Sequence, residues 1–153
     1  MINHKRIAVV MPAFNAEKTL EATVGELPEL VDIRILVDDH SRDQTAQLAR
    51  KLGLLVFEHD RNYGYGRNQQ TCYREALAAG ADVVIENFSA GVLERWGLDY
   101  ARVSAGNPGV IVVSMAGVGQ TGPWRSAVTF ADTLAAMSGL SDETRGPEAL
   151  RRA

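Results

Sequence analysis

The chain has 153 residues, of which 46% are hydrophobic, and this size and content suit one domain with a buried core. Its 16 basic and 19 acidic residues give a net charge of -3, so we expect no general attraction to nucleic acid or anionic lipid. No apolar run reaches the length of a membrane span, and the basic start lacks a signal cleavage site. We therefore expect a cytoplasmic protein without an integral membrane segment, and these properties leave a homo-oligomer open.

Strand and helix patterns alternate along the chain. Alternation of this kind predicts right-handed crossovers and an α/β fold with a doubly wound, mainly parallel sheet. Short apolar runs that are typical of strands buried on both faces lie at residues 7–11, 33–37, 54–57, 82–85 and 110–114. We expect all five strands to belong to one sheet, in which the second half of the chain extends the first.

The helices between these strands have recognisable ends. Asn15 is predicted to cap the first helix, and residues 41–44 are typical of a capping box for the second. The third helix is predicted at about residues 67–79, with Cys72 on its inward face. As the single cysteine, Cys72 excludes an internal disulfide, and we expect it to be a reduced core residue.

Polar or small residues follow three of the predicted strands, at residues 12–15, 38–41 and 86–88. In a doubly wound sheet the ligand crevice lies beyond the carboxyl ends of the strands. The adjacent carboxylates of Asp38 and Asp39 repel one another unless a ligand, a cation or helix-terminal amides face them. A ligand site and simple capping of the next helix are both consistent with this pair.

Three motifs at the strand ends resolve part of this question: residues 10–17 (VMPAFNAE), 37–45 (VDDHSRDQT) and 61–68 (RNYGYGRN). With them, residues 7–85 resemble the family-2 glycosyltransferases, particularly the polyprenyl-phosphate (dolichol-phosphate) sugar synthases. The resemblance implies a Rossmann-like fold that binds a nucleotide sugar, with the first motif's backbone on the nucleotide. It implies that Asp39 bonds the base, that Glu17 approaches the ribose, and that Gly64 and Arg67 lie beside the diphosphate. The implied nucleotide-site residues are Pro12, Ala13, Glu17, Asp38, Asp39, Gly64 and Arg67.

The chain departs from this family after the fourth strand. An intact member has an acidic motif there for Mg²⁺ or Mn²⁺, followed later by an acid that serves as base. Here the residues are Glu86-Asn87-Phe88, and one carboxylate cannot supply the ligand set that such a cation requires. We therefore predict no catalytic residue and no metal site. The expected function is nucleotide or nucleotide-sugar binding without transfer.

A second resemblance begins at residue 81. Its motifs are residues 81–88 (ADVVIENF), 91–98 (GVLERWGL), 117–123 (GVGQTGP) and 136–140 (AMSGL). These resemble the class III CoA-transferases of the formyl-CoA and carnitine-CoA transferase type. The resemblance implies that Asn87, Phe88 and Arg95 contact CoA, and that the loop at Ala116 and Gly117 passes its phosphopantetheine arm. The early CoA-binding segment and the catalytic Asp of that family have no counterpart.

The two resemblances meet within residues 81–85, where both families use a similar buried strand. Recombination, an assembled or mis-predicted reading frame and a deliberate chimera would each produce such a join. The predicted organisation is a nucleotide-binding half at 1–85, a CoA-transferase-like segment packed on the same sheet at 86–140, and a flexible polar tail at 141–153. The expected small-molecule partner is a nucleotide sugar. The alternatives are a remnant CoA-binding module, for which CoA is the ligand, and a hybrid without a ligand.

Overall fold

The computed structural model describes residues 3–140, and the predicted α/β alternation is confirmed. The strands are β1 (Ala8–Ala13), β2 (Ile33–Asp38), β3 (Leu55–Glu58), β4 (Val83–Glu86) and β5 (Ile111–Ser114). The helices are α1 (Glu17–Gly25), α2 (Thr45–Lys51), α3 (Tyr65–Ala78), α4 (Val92–Trp96), α5 (Tyr100–Gly106) and α6 (Ala131–Met137). The described residues form two compact units: a first unit of residues 3–84 and 96–113, and a second unit of residues 85–95 and 114–140. The predicted polar tail, at 141–153, lies outside the described residues.

The core of the first unit is a parallel three-stranded sheet in which β2 lies between β1 and β3. Residues Ile35, Leu36 and Val37 of β2 are 0% exposed. Successive side chains of a strand point to opposite faces, so a continuous apolar run needs cover on both sides. The sequence of β2 therefore determines that helices must pack on both faces of this sheet.

Helices do cover both faces, which confirms the doubly wound arrangement in this unit. On one face, side chains of α1 and α2 pack against Leu36, with Leu20, Val24 and Ala49 all buried. On the other face, α3 packs against Ile35 and Val37 through Cys72 and Ala76. Burial raises the pKa of the Cys72 thiol to about 12, in agreement with its predicted place in the core.

The predicted cap of α1 is wrong. The N-cap residue is Ala16, which makes no side-chain capping bond, and Asn15 has a positive φ of 51°. The side chain of Asn15 instead accepts the backbone N–H of Arg42 at 2.9 Å. The reason is a tertiary contact. The backbone N–H of Ala16 donates to the Thr45 hydroxyl at 2.8 Å, so a residue at the start of α2 provides an acceptor at the start of α1.

The capping box predicted for α2 is also wrong. The Ser41 hydroxyl donates to the carboxylate of Asp38, and Ser41 therefore does not cap the helix. Asp43 accepts the backbone N–H of Thr45 at 3.0 Å, and Glu17 of α1 accepts the N–H of Gln44 at 3.1 Å. The first turns of α1 and α2 thus exchange hydrogen bonds, which a pattern confined to one helix does not reveal.

The prediction of a single sheet is wrong as well, because β4 and β5 form a separate two-stranded sheet. Ile111 N–H donates to Asp82 C=O at 2.9 Å, and Met115 N–H donates to Glu86 C=O at 2.8 Å. Asp82 also bonds Arg6, just before β1: its N–H donates to Arg6 C=O and its carboxylate accepts Arg6 N–H. Despite these two bonds to Arg6, β1 and β4 belong to different sheets. Among residues 3–140, no helix is long and apolar enough to cross a membrane.

Candidate functional site

Asp39, at the carboxyl end of β2, fastens the loop between β3 and α3. Its side chain is buried, and its Oδ1 accepts His59 Nδ1–H at 2.7 Å and Tyr63 N–H at 2.9 Å. Its Oδ2 accepts Gly64 N–H at 2.8 Å. Burial alone would raise the pKa of Asp39, but these hydrogen bonds outweigh it and hold the pKa below its ordinary value. Asp39 is therefore an ionised anchor for the start of α3.

His59 connects this anchor to α3. While its Nδ1 bonds Asp39, its Nε2 lies 3.0 Å from the hydroxyl of Thr71 on α3. The Tyr63 ring meets the His59 ring edge-on at a centroid distance of 5.2 Å, and the Arg61 guanidinium lies over the Tyr63 ring. Sequence reasoning missed the role of His59, since an isolated histidine in a loop gives no signal until its partners are known.

Two of the other predicted acids accept hydrogen bonds from other residues of the first unit. Asp38 accepts both the N–H and the hydroxyl of Ser41 and so closes the turn after β2. Glu17 accepts the Gln44 N–H, as described above, and does not contact Asp39. Asp38 and Asp39 are thus adjacent in sequence but hold different loops. Each has its own set of N–H or O–H donors, which compensates the burial of both charges.

The ends of β1 and β2 are joined by Asn68, another residue that the sequence did not single out. Its Nδ2 donates to Val37 C=O at 3.0 Å and lies 3.4 Å from Ala13 C=O, which also accepts the Asp39 N–H at 2.8 Å. Asn68 Oδ1 is buried and has no hydrogen-bond partner among the described residues. The predicted residues Ala13 and Asp39 are therefore in direct contact. Pro12 lies next to Ala13 on β1.

The remaining predicted nucleotide-site residues lie at the start of α3. Gly64 is the N-cap, with a φ of 83° that strongly favours glycine, and no side chain caps the helix. Arg67 lies one turn on, exposed to solvent, and one of its N–H groups donates to Gln70 Oε1 at 3.0 Å. No other described residue is hydrogen-bonded to the guanidinium of Arg67.

The residues at the carboxyl end of β4 do not fit the divalent cation of an intact glycosyltransferase. Glu86 is 4% exposed; its Oε2 accepts Phe88 N–H at 2.6 Å, and its Oε1 accepts Gln120 Nε2–H at 3.2 Å. Both oxygens therefore already serve this segment, and the neighbouring Asn87 and Phe88 add no carboxylate. Within the described residues, no group of three or more His, Cys, Asp or Glu side chains could hold a metal ion.

The predicted CoA-contacting residues come together in the second unit. Asn87, Phe88, Ala116 and Gly117 line one small cavity of about 40 Å³. A Cβ at Gly117 would lie 2.0 Å from the Thr129 hydroxyl, so this position has no room for a side chain unless Thr129 moves. Arg95, the fifth predicted residue, lines a larger cleft of about 450 Å³.

Arg125 lines both openings and was missed by sequence reasoning. Its only sequence signal is its position shortly after the 117–123 glycine-rich motif. The nucleotide-site residues thus lie in the first unit and the CoA-site residues in the second, and the two sets share no residue.

Family comparisons agree with this division. Residues 8–85 match the glycosyl transferase family 2 model, and residues 67–150 match the CoA-transferase family III model. Each match covers more than half of the chain. The chain belongs to both families. The two matches overlap at 67–85, a range that contains the join predicted from the sequence.

Two relatives each match about half of the chain. The succinyl-CoA–L-malate CoA-transferase alpha subunit of Chloroflexus aurantiacus is 48% identical over 65 residues, which cover 42% of this chain and 15% of that protein. An uncharacterized protein of Methanocaldococcus jannaschii is 38% identical over 85 residues, which cover 55% of this chain and 35% of that protein. The chain thus spans only a small part of the CoA-transferases that it matches.

A solved structure shows similarity to about half of the chain. It is glucosyl-3-phosphoglycerate synthase from Mycobacterium tuberculosis, in complex with Mn²⁺, UDP and glucosyl-3-phosphoglycerate. The sequences are 29% identical, the match covers 52% of this chain and 31% of that one, and the TM-score is 0.43. At this score the similarity adds nothing to the family match.

Proposed function

We propose that the glycosyl transferase family 2 segment binds a nucleoside diphosphate or its sugar conjugate without transferring the sugar. The observation that carries this proposal is the Asp39 anchor at the carboxyl ends of β1 and β2. A carboxylate offers about four acceptor positions, and the hydrogen bonds from His59, Tyr63 and Gly64 use three of them. We propose that the remaining position on Oδ2 accepts a ring N–H of uracil or guanine.

The start of α3 supplies donors for the phosphates. Its first turn carries backbone N–H groups that have no partner within the helix, and the N-terminal end of a helix favours negative charge. Gly64 allows close approach because a Cβ there would meet no atom within 4 Å, and Arg67 provides a guanidinium one turn away. Transfer is not expected, because the residues after β4 do not supply the ligands for a cation.

The test varies the ligand instead of Asp39, whose loss would also disturb the loop. We expect UDP or GDP to bind saturably in calorimetry. N3-methyl-UDP and N1-methyl-GDP lack the ring N–H, so we expect each to bind about tenfold more weakly than its parent nucleotide. 5-Methyl-UDP keeps that N–H and serves as the matched control. Arg67→Gln should lower the affinity for the nucleoside diphosphate more than the affinity for the nucleoside. Equal affinity for N3-methyl-UDP and 5-methyl-UDP would remove Asp39 from the base site.

The second candidate is CoA binding by the CoA-transferase family III segment. It is favoured by one observation: four of the five predicted residues line one cavity, and Arg95 lines the cleft that shares Arg125 with it. We expect CoA to titrate saturably and Arg95→Gln to weaken it. No nucleophile is proposed, so acyl transfer is not expected. If neither UDP, GDP nor CoA binds, the chain is a hybrid without these ligands. A cytoplasmic location and a homo-oligomer remain predictions.

A further inference from the structure

We propose that Asp39, His59 and Thr71 form an acyl-transfer triad in the first unit, with which the chain hydrolyses activated carboxylic esters. Asp39 and His59 follow β2 and β3, and Thr71 lies on α3. His59 Nδ1 lies 2.7 Å from Asp39 Oδ1, and its Nε2 lies 3.0 Å from Thr71 Oγ1. A hydroxyl bonded to a base that a third group orients is the arrangement of hydrolases on unrelated folds. This activity goes beyond nucleotide binding and does not require it.

The ionisation of Asp39 determines which nitrogen of His59 carries the proton. Burial raises the pKa of Asp39, but its hydrogen bonds outweigh burial and hold this pKa below its ordinary value. The carboxylate therefore has no proton to donate at neutral pH, and the proton between Asp39 and His59 lies on Nδ1. Nε2 of the neutral ring then keeps its lone pair, and it accepts the Thr71 hydroxyl as a general base does.

The Thr71 hydroxyl has a second acceptor within reach, the C=O of Arg67 at 3.2 Å in the preceding turn of α3. His59 Nε2 is closer, and Thr71 is the one donor described for it. The His59 side chain is 13% exposed, so an Nε2 without a donor would be costly. We therefore assign the hydroxyl proton of Thr71 to His59 and not to the helix backbone.

Arg67 places a positive group beside the nucleophile. It lies four residues before Thr71 on α3, and residues with this spacing share one face of a helix. Gln70 is the one described residue that is hydrogen-bonded to its guanidinium. The guanidinium can thus stabilise the oxyanion that forms when Thr71 attacks a carbonyl. Arg67 is exposed and Thr71 is half-buried, so an ester can approach this face from solvent.

The reaction is an acyl transfer to water in two halves. Thr71 Oγ bonds to the carbonyl carbon of the ester while its proton passes to His59 Nε2. The bond from that carbon to the alcohol oxygen then breaks, and the alcohol leaves with this proton. A water molecule next attacks the acyl-threonine and gives a proton to His59, which returns it to Thr71 Oγ as the carboxylic acid leaves. Asp39 is a positioning residue that holds the Nδ1 proton in place.

Hydrolysis of p-nitrophenyl acetate by the full chain tests the proposal, with peptide mass spectrometry to locate the acyl group. We expect Thr71 to be acetylated in the unaltered chain. Thr71→Val removes the hydroxyl and should abolish this label and lower the rate about a hundredfold, the lower end of the contribution of a positioned acid–base group. Thr71→Ser keeps a hydroxyl and should retain both. His59→Gln should lower the rate as Thr71→Val does.

Two matched controls exclude general effects. Thr23→Val removes a hydroxyl of exposed Thr23 on α1, which donates to Thr19 C=O at 3.0 Å within its own helix. His4→Gln removes an exposed imidazole, which can react slowly with the ester on its own. Both variants should leave the rate and the Thr71 label unchanged. Because the label is first sought in the unaltered chain, the proposal can be refuted even if a variant fails to fold.

Three results would overturn the triad. One is an unaltered chain in which Thr71 carries no acetyl group, including a chain labelled on lysine alone. Another is hydrolysis by Thr71→Val that is as fast as that of the unaltered chain. The third is an equal loss of rate in Thr71→Val and Thr23→Val. UDP and GDP binding is measured separately, so the proposed nucleotide site can fail while the triad stands, and the reverse.

Discussion

Replacement of Asp39 by alanine should destabilise the first unit through the loop that this residue anchors. The substitution removes the acceptor for His59 Nδ1–H and Tyr63 N–H, which have no second acceptor described for them. Gly64 N–H keeps a partner, since Asn62 Oδ1 also accepts it at 3.0 Å. Two stranded donors at about 1–1.5 kcal/mol each give a loss of about 2–3 kcal/mol.

Urea unfolding followed by far-ultraviolet circular dichroism measures this loss. With a denaturant slope of about 1–3 kcal/mol/M, the midpoint should fall by about 0.7–3 M. Asp60→Ala is the matched control, because Asp60 is an exposed acid in the same loop. Asp39→Asn keeps Oδ1 as an acceptor but presents an amide N–H₂ to Gly64 N–H, so we expect an intermediate loss.

A local readout excludes a purely global effect. Hydrogen exchange of the amides at 62–64 should accelerate in Asp39→Ala beyond what the lost global stability accounts for. If the midpoint and the exchange of these amides in Asp39→Ala both match those of Asp60→Ala, Asp39 does not anchor the loop. The anchor would then be maintained by other contacts, and the proposed base site would lose its preorganised acceptor.

Three further results are expected. The pKa of Asp39 is lowered, so its stabilising effect is present above its ordinary pKa of 3.8 and is lost as the pH falls through the lower, folded-state value; the wild-type and Asp39→Ala unfolding curves should therefore converge in acid. Cys72, with its pKa raised to about 12, should react with a thiol reagent at pH 8 only after denaturation, and rapid reaction of the native protein would contradict its burial. UDP affinity should be the same with Mg²⁺, Mn²⁺ or a chelator; metal-dependent sugar transfer by the unaltered chain would refute the proposed loss of catalysis.

The sequence predicts the elements of this fold well where a buried run determines them. The β2 run Ile35-Leu36-Val37 needs cover on both faces wherever it is placed, so its strand and flanking helices follow from local pattern. The sheet order beyond β3 does not follow in this way. β4 pairs with β5 and not with β1, and a pairing between strands that are distant in sequence does not follow from local patterns.

The same distinction applies to the sites. Asp39 and Gly64, which the motifs singled out, lie beside one another, since both lie at ends of elements that the pattern fixes. They did not locate His59 or Asn68, whose roles exist only through contacts with Asp39 and with the carbonyls of Ala13 and Val37. Arg125 was missed for a related reason: a single arginine in a loop gives no signal until the other residues that line the same opening are known.

The two sites differ in what their retained residues show about ligands. In the first unit, Glu17, Asp38 and most of Asp39 bond the chain itself, so the fold alone gives a reason for these acids to be present. Their presence does not require a nucleotide, which is why the methylated ligand is the stronger test there. In the second unit, the guanidiniums of Arg95 and Arg125 stabilise no described partner. No described contact gives Arg95 a structural role, so a variant that retains the positive charge, Arg95→Lys, tests whether CoA binding depends on the guanidinium fork.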